Sequence, residues 1–413
     1  MLHNFTIKKN KLFIGGISAE DLVARYGSPI YIYDAALIKE RLFDLVKNIT
    51  YPRTTFHYAC KQNTNIEIMK LLRKEGAFVE VMSQSEVMAA YEAGFTPKEM
   101  IYTCSYISKE ELQFVIKQNI MINLDSLTQV RRFGELNPGG KISFRINQGI
   151  GAGGHKHVIT GGPDSKFGID ISQLDEVKKL AQHYRLKIVG IHQHIGSNIL
   201  DEKIFMKAIK ALLQTAKGFN DLDFVNFGGG FGIPYKSNQK PLDMVSLGAL
   251  ITKEVEKFVK GYGKFIEIKF EPGRFLVGEA GVFLGTVTDV KKTPYKTFVG
   301  IDAGMNQLIR PALYDSYHQI VNASNVVDDE EIVSVVGNIC ESADFFARDR
   351  KLPKFVEGDI VAILGAGASG YAMSSLYNGR PQPAEILVEK NKSQLIREQR
   401  NFDFQVATKK KLR

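Results

Sequence analysis

The sequence predicts an α/β protein: an N-terminal (βα)8 TIM-like barrel followed by a β-rich domain. Three observations predict it. Short apolar runs alternate with amphipathic helical patterns through the first two-thirds of the chain. The runs number eight over about 240 residues, which matches the size of such a barrel. After about residue 282 strands continue with few helices between them. Alternation alone would also suit a doubly wound sheet; the count of eight favours closure.

The elements follow in order. Residues 4–16 (NFTIKKNKLFIGG) read as a hairpin about Lys9, Asn10 and Lys11. The barrel strands are TTFHYAC (54–60), FVEVM (78–82), IYTCS (101–105), MINLD (121–125), KISFRIN (141–147), KIVGIHQHIG (187–196), DFVNFGG (223–229) and FIEIKFE (265–271). They are short and apolar, as strands covered on both faces should be. Helical patterns fall at 65–76, 171–184, 201–217 and 243–260. Two more helices should open on capping boxes, Ser83-x-x-Glu86 and Ser108-x-x-Glu111. A glycine-rich insertion at 149–168 has the length of either a disordered loop or an active-site loop. VFLGTVTDVKK, KTFVGIDAG, EEIVSVVGNIC, DIVAILG and AEILVEK supply the later strands, and the tail from about 402 should be solvated. We therefore expect a barrel over 30–281 and a β-rich domain from 1–29 and 282–413.

Composition narrows the function. A 44% hydrophobic, 24% charged chain is globular rather than disordered or collagenous. No apolar run reaches the ~20 residues of a membrane span, and the N-terminus lacks the apolar core of a signal peptide. Cys60, Cys104 and Cys340 form no metal or disulfide pattern, which suggests a reducing, cytoplasmic setting and no metal. Four of the charges behind the net +9 are Lys409, Lys410, Lys411 and Arg413. No basic stripe with interleaved aromatics points to nucleic acid.

Barrel sites form at the C-terminal ends of the strands. Lys61 follows the first strand; burial there would lower its pKa and free the amine for Schiff-base chemistry. Taken alone, it reads first as a lysine snorkelling at a strand end. Gly228, Gly229 and Gly230 follow the seventh strand, and Glu271, Gly273 and Arg274 the eighth. Those two loops often bind phosphate, through backbone N–H groups and a nearby arginine; tight turns are the other reading. His192 and His194 alternate on the sixth strand, as core histidines or, for His194, as a flat ring against a planar cofactor, with Ser197 as an anion donor. Gly365-x-Gly367-x-x-Gly370 matches the dinucleotide fingerprint, but only YAMSSLYN separates it from Asn378-Gly379-Arg380-Pro381, too little for the required helix. A lysine, a glycine phosphate loop and an acidic Glu271 at one mouth suggest pyridoxal phosphate, with the carboxylate keeping the pyridine nitrogen protonated.

HYACKQN, HIGSN, GGGFGIPY, EPGRF, RPALYDSYH, CESADFFARDR and MSSLYNGRPQPAEILV, in this order, resemble the diaminopimelate decarboxylases, fold-type III enzymes of the alanine-racemase-like group. The resemblance runs from about residue 24 to 390. It implies a barrel with a C-terminal β-domain, a pyridoxal 5'-phosphate cofactor, an amino-acid substrate and a homodimer with its active sites at the interface. It further implies that Lys61 holds the cofactor and His194 stacks on it. Ser197, Gly228–Gly230, Gly273 and Arg274 would hold its phosphate and ring, and Glu271 would pair with the pyridinium. Arg274, Arg310 and Tyr314 would grip the substrate's distal carboxylate, while Cys340, as proton donor, and Glu341 would come from the partner subunit. Three positions depart from the pattern. Ser369 stands where a tyrosine usually reaches the phosphate, with Tyr371 two positions on as its replacement for cofactor or substrate. Glu80 replaces a usual aspartate, and Asn338 a usual proline. The implied activity is decarboxylation of meso-2,6-diaminopimelate to L-lysine and CO2, the last step of lysine biosynthesis. The alternatives are a decarboxylase of the ornithine or arginine type, a racemase, and a non-catalytic pyridoxal phosphate-binding paralogue. Arginines suit a distal carboxylate where carboxylates would suit a distal amine.

Overall fold

Eight parallel strands close into a barrel: Thr54–Ala59, Phe78–Val81, Met100–Thr103, Met121–Leu124, Lys141–Asn147, Lys187–His192, Phe224–Asn226 and Glu267–Phe270, each beside the next, with the eighth returning to the first. The computed structural model describes residues 2–151, 162 and 164–402. All eight strands fall where the apolar runs place them. Most of the glycine-rich insertion, 152–161 and 163, and the tail beyond 402 lie outside the described residues.

The helices between strands bury one face each. Glu202–Ala216 buries Phe205, Met206, Ile209, Leu212 and Leu213, and Asp201 caps it by accepting from the Lys203 amide at 2.8 Å. Both anticipated capping residues act: Ser83 Oγ accepts from the Glu86 amide and Ser108 Oγ from the Glu111 amide. The reciprocal half of each box is absent. Glu86 reaches the Met82 amide at 2.8 Å, and Glu111 takes the Tyr102 hydroxyl, because a buried phenol at the end of the third strand needs an acceptor.

The chain divides into two units, Lys39–Pro234 with Lys240–Leu276, and Met1–Ile38 with Tyr235–Gln239 and everything from Val277. This differs from the expected boundary at both ends. Ile30–Asp34 is no part of the barrel; it pairs antiparallel with Gly281–Lys292 and parallel with Ala384–Glu389, so residues 30–38 and 277–281 go with the β-rich unit. The sheet of that unit runs Phe345–Pro353, Glu330–Val336, Thr297–Ile301, Gly281–Lys292, Ile30–Asp34, Ala384–Glu389, Lys392–Arg397, with Ile360–Leu364 and Ile320–Asn322 branching from Gly281–Lys292. The N-terminal hairpin, Thr6–Lys8 on Lys11–Ile14, turns through Lys9 and Asn10 at positive φ and docks in this unit through Leu12 N–H to Ala323 O and Val326 N–H to Asn10 O.

The late fingerprint Gly365, Gly367, Gly370 carries no nucleotide helix; short 3-10 turns at Tyr371–Met373 and Tyr377–Gly379 follow. Gly367 is needed for packing: a Cβ there would stand 1.9 Å from the Val277 carbonyl oxygen.

Candidate active site

At the mouth of the barrel the first strand ends in a 3-10 turn, Cys60–Gln62, which turns Lys61 outward. Its side chain is 38% exposed, not buried as the sequence suggests, and Nζ lies 3.0 and 3.2 Å from the carboxylate oxygens of Glu80, which is 1% exposed. The expected drop in the amine's pKa is overturned. What burial there is works against the ammonium, but the carboxylates of Glu80 and Glu271 more than offset it, and Lys61 titrates above an ordinary lysine. Burial in turn pushes Glu80 up to about 7, against the pull of Lys61.

Glu271, at the end of the eighth strand, is 5% exposed and fully engaged: Asn226 Nδ2 donates to Oε1 at 2.8 Å and His192 Nε2 meets Oε2 at 3.0 Å. Burial alone would raise this carboxyl; His192 and then Lys61 more than reverse it and hold Glu271 well below the usual carboxylate range. Sequence reading missed Asn226 as a partner. Its signal is its place at a strand end two residues before Gly228.

His194 is pushed well below the ordinary imidazole value by burial and by the Arg145 and Lys61 cations, so it is neutral near pH 7. The Gly229 amide donates to its Nδ1 at 3.2 Å, which leaves the ring proton on Nε2. Arg145, also unforeseen, fixes the segment by donating from Nη2 to the His194 carbonyl at 3.0 Å.

The triple glycine works differently from expectation. The Gly228 amide donates to Asn226 Oδ1 at 2.9 Å and the Gly229 amide to His194, so these two do not converge on an anion. Gly228 sits at φ +69, and a Cβ there would stand 2.2 Å from the Gln193 carbonyl oxygen; the glycine lets the loop close on the sixth strand's end. Donors suited to an anion are the Gly230 amide, the Ser197 hydroxyl and Arg274, whose Nε already meets Ser197 Oγ at 3.2 Å. Gly273 packs tightly, its missing Cβ 2.6 Å from Gln62 Cγ. The barrel thus brings together Lys61, His194, Ser197, Gly228–Gly230, Glu271, Gly273 and Arg274.

The remaining candidates belong to the β-rich unit. Arg310 is 5% exposed at the start of the short helix Arg310–Tyr314, its guanidinium over the rings of Tyr235 (5.5 Å) and Tyr314 (6.0 Å). Cys340 and Glu341 are exposed on a loop built around buried Asp344, which accepts the Met305 and Ile339 amides at 2.6 and 3.0 Å. Asn378 Oδ1 accepts the Cys340 amide at 2.9 Å and Arg380 donates to the Asn338 carbonyl. Tyr371 also lies in the β-rich unit. It is buried edge-on to Tyr31, beneath the Arg397 guanidinium at 4.8 Å, and hydrogen-bonds with Arg397. The 3-10 turn after Gly370 sets it beside the polar cluster of Tyr33, Glu385 and Arg397.

These features fit a planar pyridine carrying an aldehyde and a phosphate: an amine, an ionised buried carboxylate, a neutral imidazole and anion donors around one mouth. A further sign is His192 Nδ1, buried without a hydrogen-bond partner beside Glu271. Fold and site together define a pyridoxal-dependent enzyme, and residues 36–278 match the family model for the pyridoxal-dependent decarboxylases' pyridoxal-binding domain. The chain is 42% identical to the diaminopimelate decarboxylase of Methanothermobacter thermautotrophicus, covering 95% of this chain and 94% of that one. It is 36% identical to the Aquifex aeolicus enzyme of the same name, covering 96% and 95%. The crystal structure of the M. jannaschii diaminopimelate decarboxylase in complex with L-lysine superposes with a TM-score of 0.88 at 33% identity, covering 97% of this chain and 96% of that one. The chain belongs to the diaminopimelate decarboxylase family. No helix among the described residues is long and apolar enough to cross a membrane.

Proposed function

We propose that the chain decarboxylates meso-2,6-diaminopimelate to L-lysine and CO2, the last step of lysine biosynthesis. The observation that carries this reading is Lys61 at the barrel mouth beside Glu80 and the buried, ionised Glu271. Bound pyridoxal phosphate supplies a ring that takes up the electron pair left when CO2 departs.

The protein's residues do the rest. Lys61 holds the cofactor through its amine, and Glu80 receives the ammonium whenever the amine is released. Glu271, oriented by His192 and Asn226, holds a proton at the ring nitrogen. His194, neutral, covers one face of the ring without adding charge. Ser197, Gly230 and Arg274 bind the phosphate. Arg310, with Tyr314, binds the distal carboxylate; a guanidinium there favours diaminopimelate over ornithine or arginine, whose distal groups are cationic. Cys340 of the partner subunit gives the proton to the α-carbon, and Glu341 of the partner subunit faces the substrate, in a homodimer with shared sites. The test compares substrates. Purified protein loaded with cofactor should release CO2 from meso-diaminopimelate at least about 10²-fold more efficiently than from ornithine or arginine, by the worth of one charged hydrogen bond, ~3 kcal/mol. Equal or reversed efficiencies would refute the assignment.

A further inference from the structure

We propose that Asn378 and Arg380 are positioning residues for the proton donor: they hold the loop that carries Cys340, so that its thiol meets the reacting carbon from one side. The inference rests on the reading of Cys340 given above and names residues which that reading does not.

The Cys340 loop, 337–344, is fixed at its base by Asp344. This carboxylate is 4% exposed and accepts the Met305 amide at 2.6 Å and the Ile339 amide at 3.0 Å, while the Asp344 carbonyl accepts the Gly337 amide at 3.1 Å. Gly337 has no room for a side chain, since a Cβ would stand 2.3 Å from Asp344 Oδ2. The Asn338 amide donates to the Ala303 carbonyl at 3.0 Å. A proline, usual in the family at this position, has no N–H to make that bond. The base is thus tied to the segment that follows the strand Thr297–Ile301.

Cys340 itself is exposed, and its amide is held from outside the loop. Asn378 Oδ1 accepts it at 2.9 Å, and Arg380 Nη2 donates to the Asn338 carbonyl at 3.1 Å. Both residues come from Tyr377-Asn378-Gly379-Arg380-Pro381, part of a motif to which the function above gives no role. Asn378 stands at φ +57, ψ +18, a left-handed conformation that asparagine adopts at less cost than most residues. One residue type therefore meets two demands, the backbone of the turn and an acceptor for the Cys340 N–H.

The chemistry gives these ties a purpose. In the step the thiol serves, the Sγ–H bond breaks, a C–H bond forms with the electron pair that CO2 leaves, and the thiolate then takes a proton from water. Such a transfer needs the donor within hydrogen-bond reach of the carbon, and a misplacement of about 1 Å can cost up to ~10²-fold in rate. A donor on an exposed loop meets that demand only if the loop is held.

The test uses the cofactor-loaded enzyme. Asn378→Gly keeps the left-handed turn and removes the acceptor; Asn378→Asp keeps both. Asn378→Gly should lower kcat for diaminopimelate about tenfold and change KM less than about twofold, and Asn378→Asp should stay within about threefold of the wild type in kcat. Arg380→Ala should lower kcat about threefold. Turnover in D2O separates positioning from a merely structural role. Deuterium enters at the carbon that lost CO2, in one configuration in the wild type and in a mixture of both with Asn378→Gly, because water then competes with the thiol. Equal losses in the glycine and aspartate variants, or a single configuration retained by Asn378→Gly, would overturn the proposal. If Cys340→Ala keeps the wild-type kcat and configuration, the proton-donor reading itself fails; if Cys340→Ala is impaired while Asn378→Gly is not, only the positioning role fails.

Discussion

Replacing Glu80 by glutamine should speed capture of the cofactor, because in the cofactor-free protein Glu80 holds Lys61 in the wrong protonation state. The Lys61 amine reacts only when neutral. Glu80 stabilises the ammonium at 3.0 Å. Two unit charges at that distance interact by about 5 kcal/mol at an effective dielectric of 20 and about 1.4 kcal/mol at that of water. Lys61 is 38% exposed, so the solvent figure is the one to use. That is about one pKa unit, and removing the charge should raise the neutral fraction about tenfold near pH 8. The sign depends on pH. Burial holds Glu80 up to about 7, so below that value it is protonated in the wild type and the substitution changes little; above it the carboxylate is ionised and the difference opens. Cofactor-free wild type and Glu80→Gln should be mixed with pyridoxal phosphate at pH 6 and pH 8, and the second-order rate followed by absorbance of the bound cofactor. The expected rate ratio is near one at pH 6 and about ten at pH 8. A ratio of one at both, or slower capture by Glu80→Gln at pH 8, would show that Glu80 does not control the protonation of Lys61.

Arg310→Ala should lower kcat/KM for diaminopimelate by roughly 10²-fold, on the order of 3 kcal/mol for a lost charged hydrogen bond, and an unchanged constant would remove Arg310 from the site. Ser369→Tyr should tighten cofactor binding by roughly tenfold, about 1.5 kcal/mol for a bond to an anion, since Tyr371 is committed to Arg397; equilibrium titration giving an unchanged Kd would show that no phosphate contact is missing. Lys61→Ala and Cys340→Ala, each inactive alone, should regain activity when mixed and allowed to exchange subunits, because one site per heterodimer has both residues. No recovery despite exchange confirmed by mass would place both residues in one subunit's site.

The barrel was legible because its signal is periodic: eight apolar runs separated by capped helices leave few other folds. Its edges were not. Ile30–Asp34 is an apolar run like the barrel strands, and nothing local says that it pairs with Gly281–Lys292, some 250 residues on. Phe345–Pro353 (FFARDRKLP) is a strand with four charged residues in its sequence, and it escaped the apolar-run criterion. Within the site, residue types and strand ends revealed Lys61, Glu271 and Arg274, since chemistry at a barrel mouth restricts the choices. Protonation states were hidden, because they depend on pairs distant in sequence. Glu80 and Glu271 raise the Lys61 pKa that burial alone would lower, and Asn226 and His194 occupy two of the amides that a glycine motif by itself offers a phosphate.

The most direct measurement of the central claim is the site of cofactor attachment. Holoenzyme reduced with borohydride and digested should yield one pyridoxyl-labelled peptide, and that peptide should contain Lys61. Lys269, buried in the barrel and paired with Glu267 at 2.9 Å, should carry no label. Label on Lys269, or on any lysine but Lys61, would contradict the account.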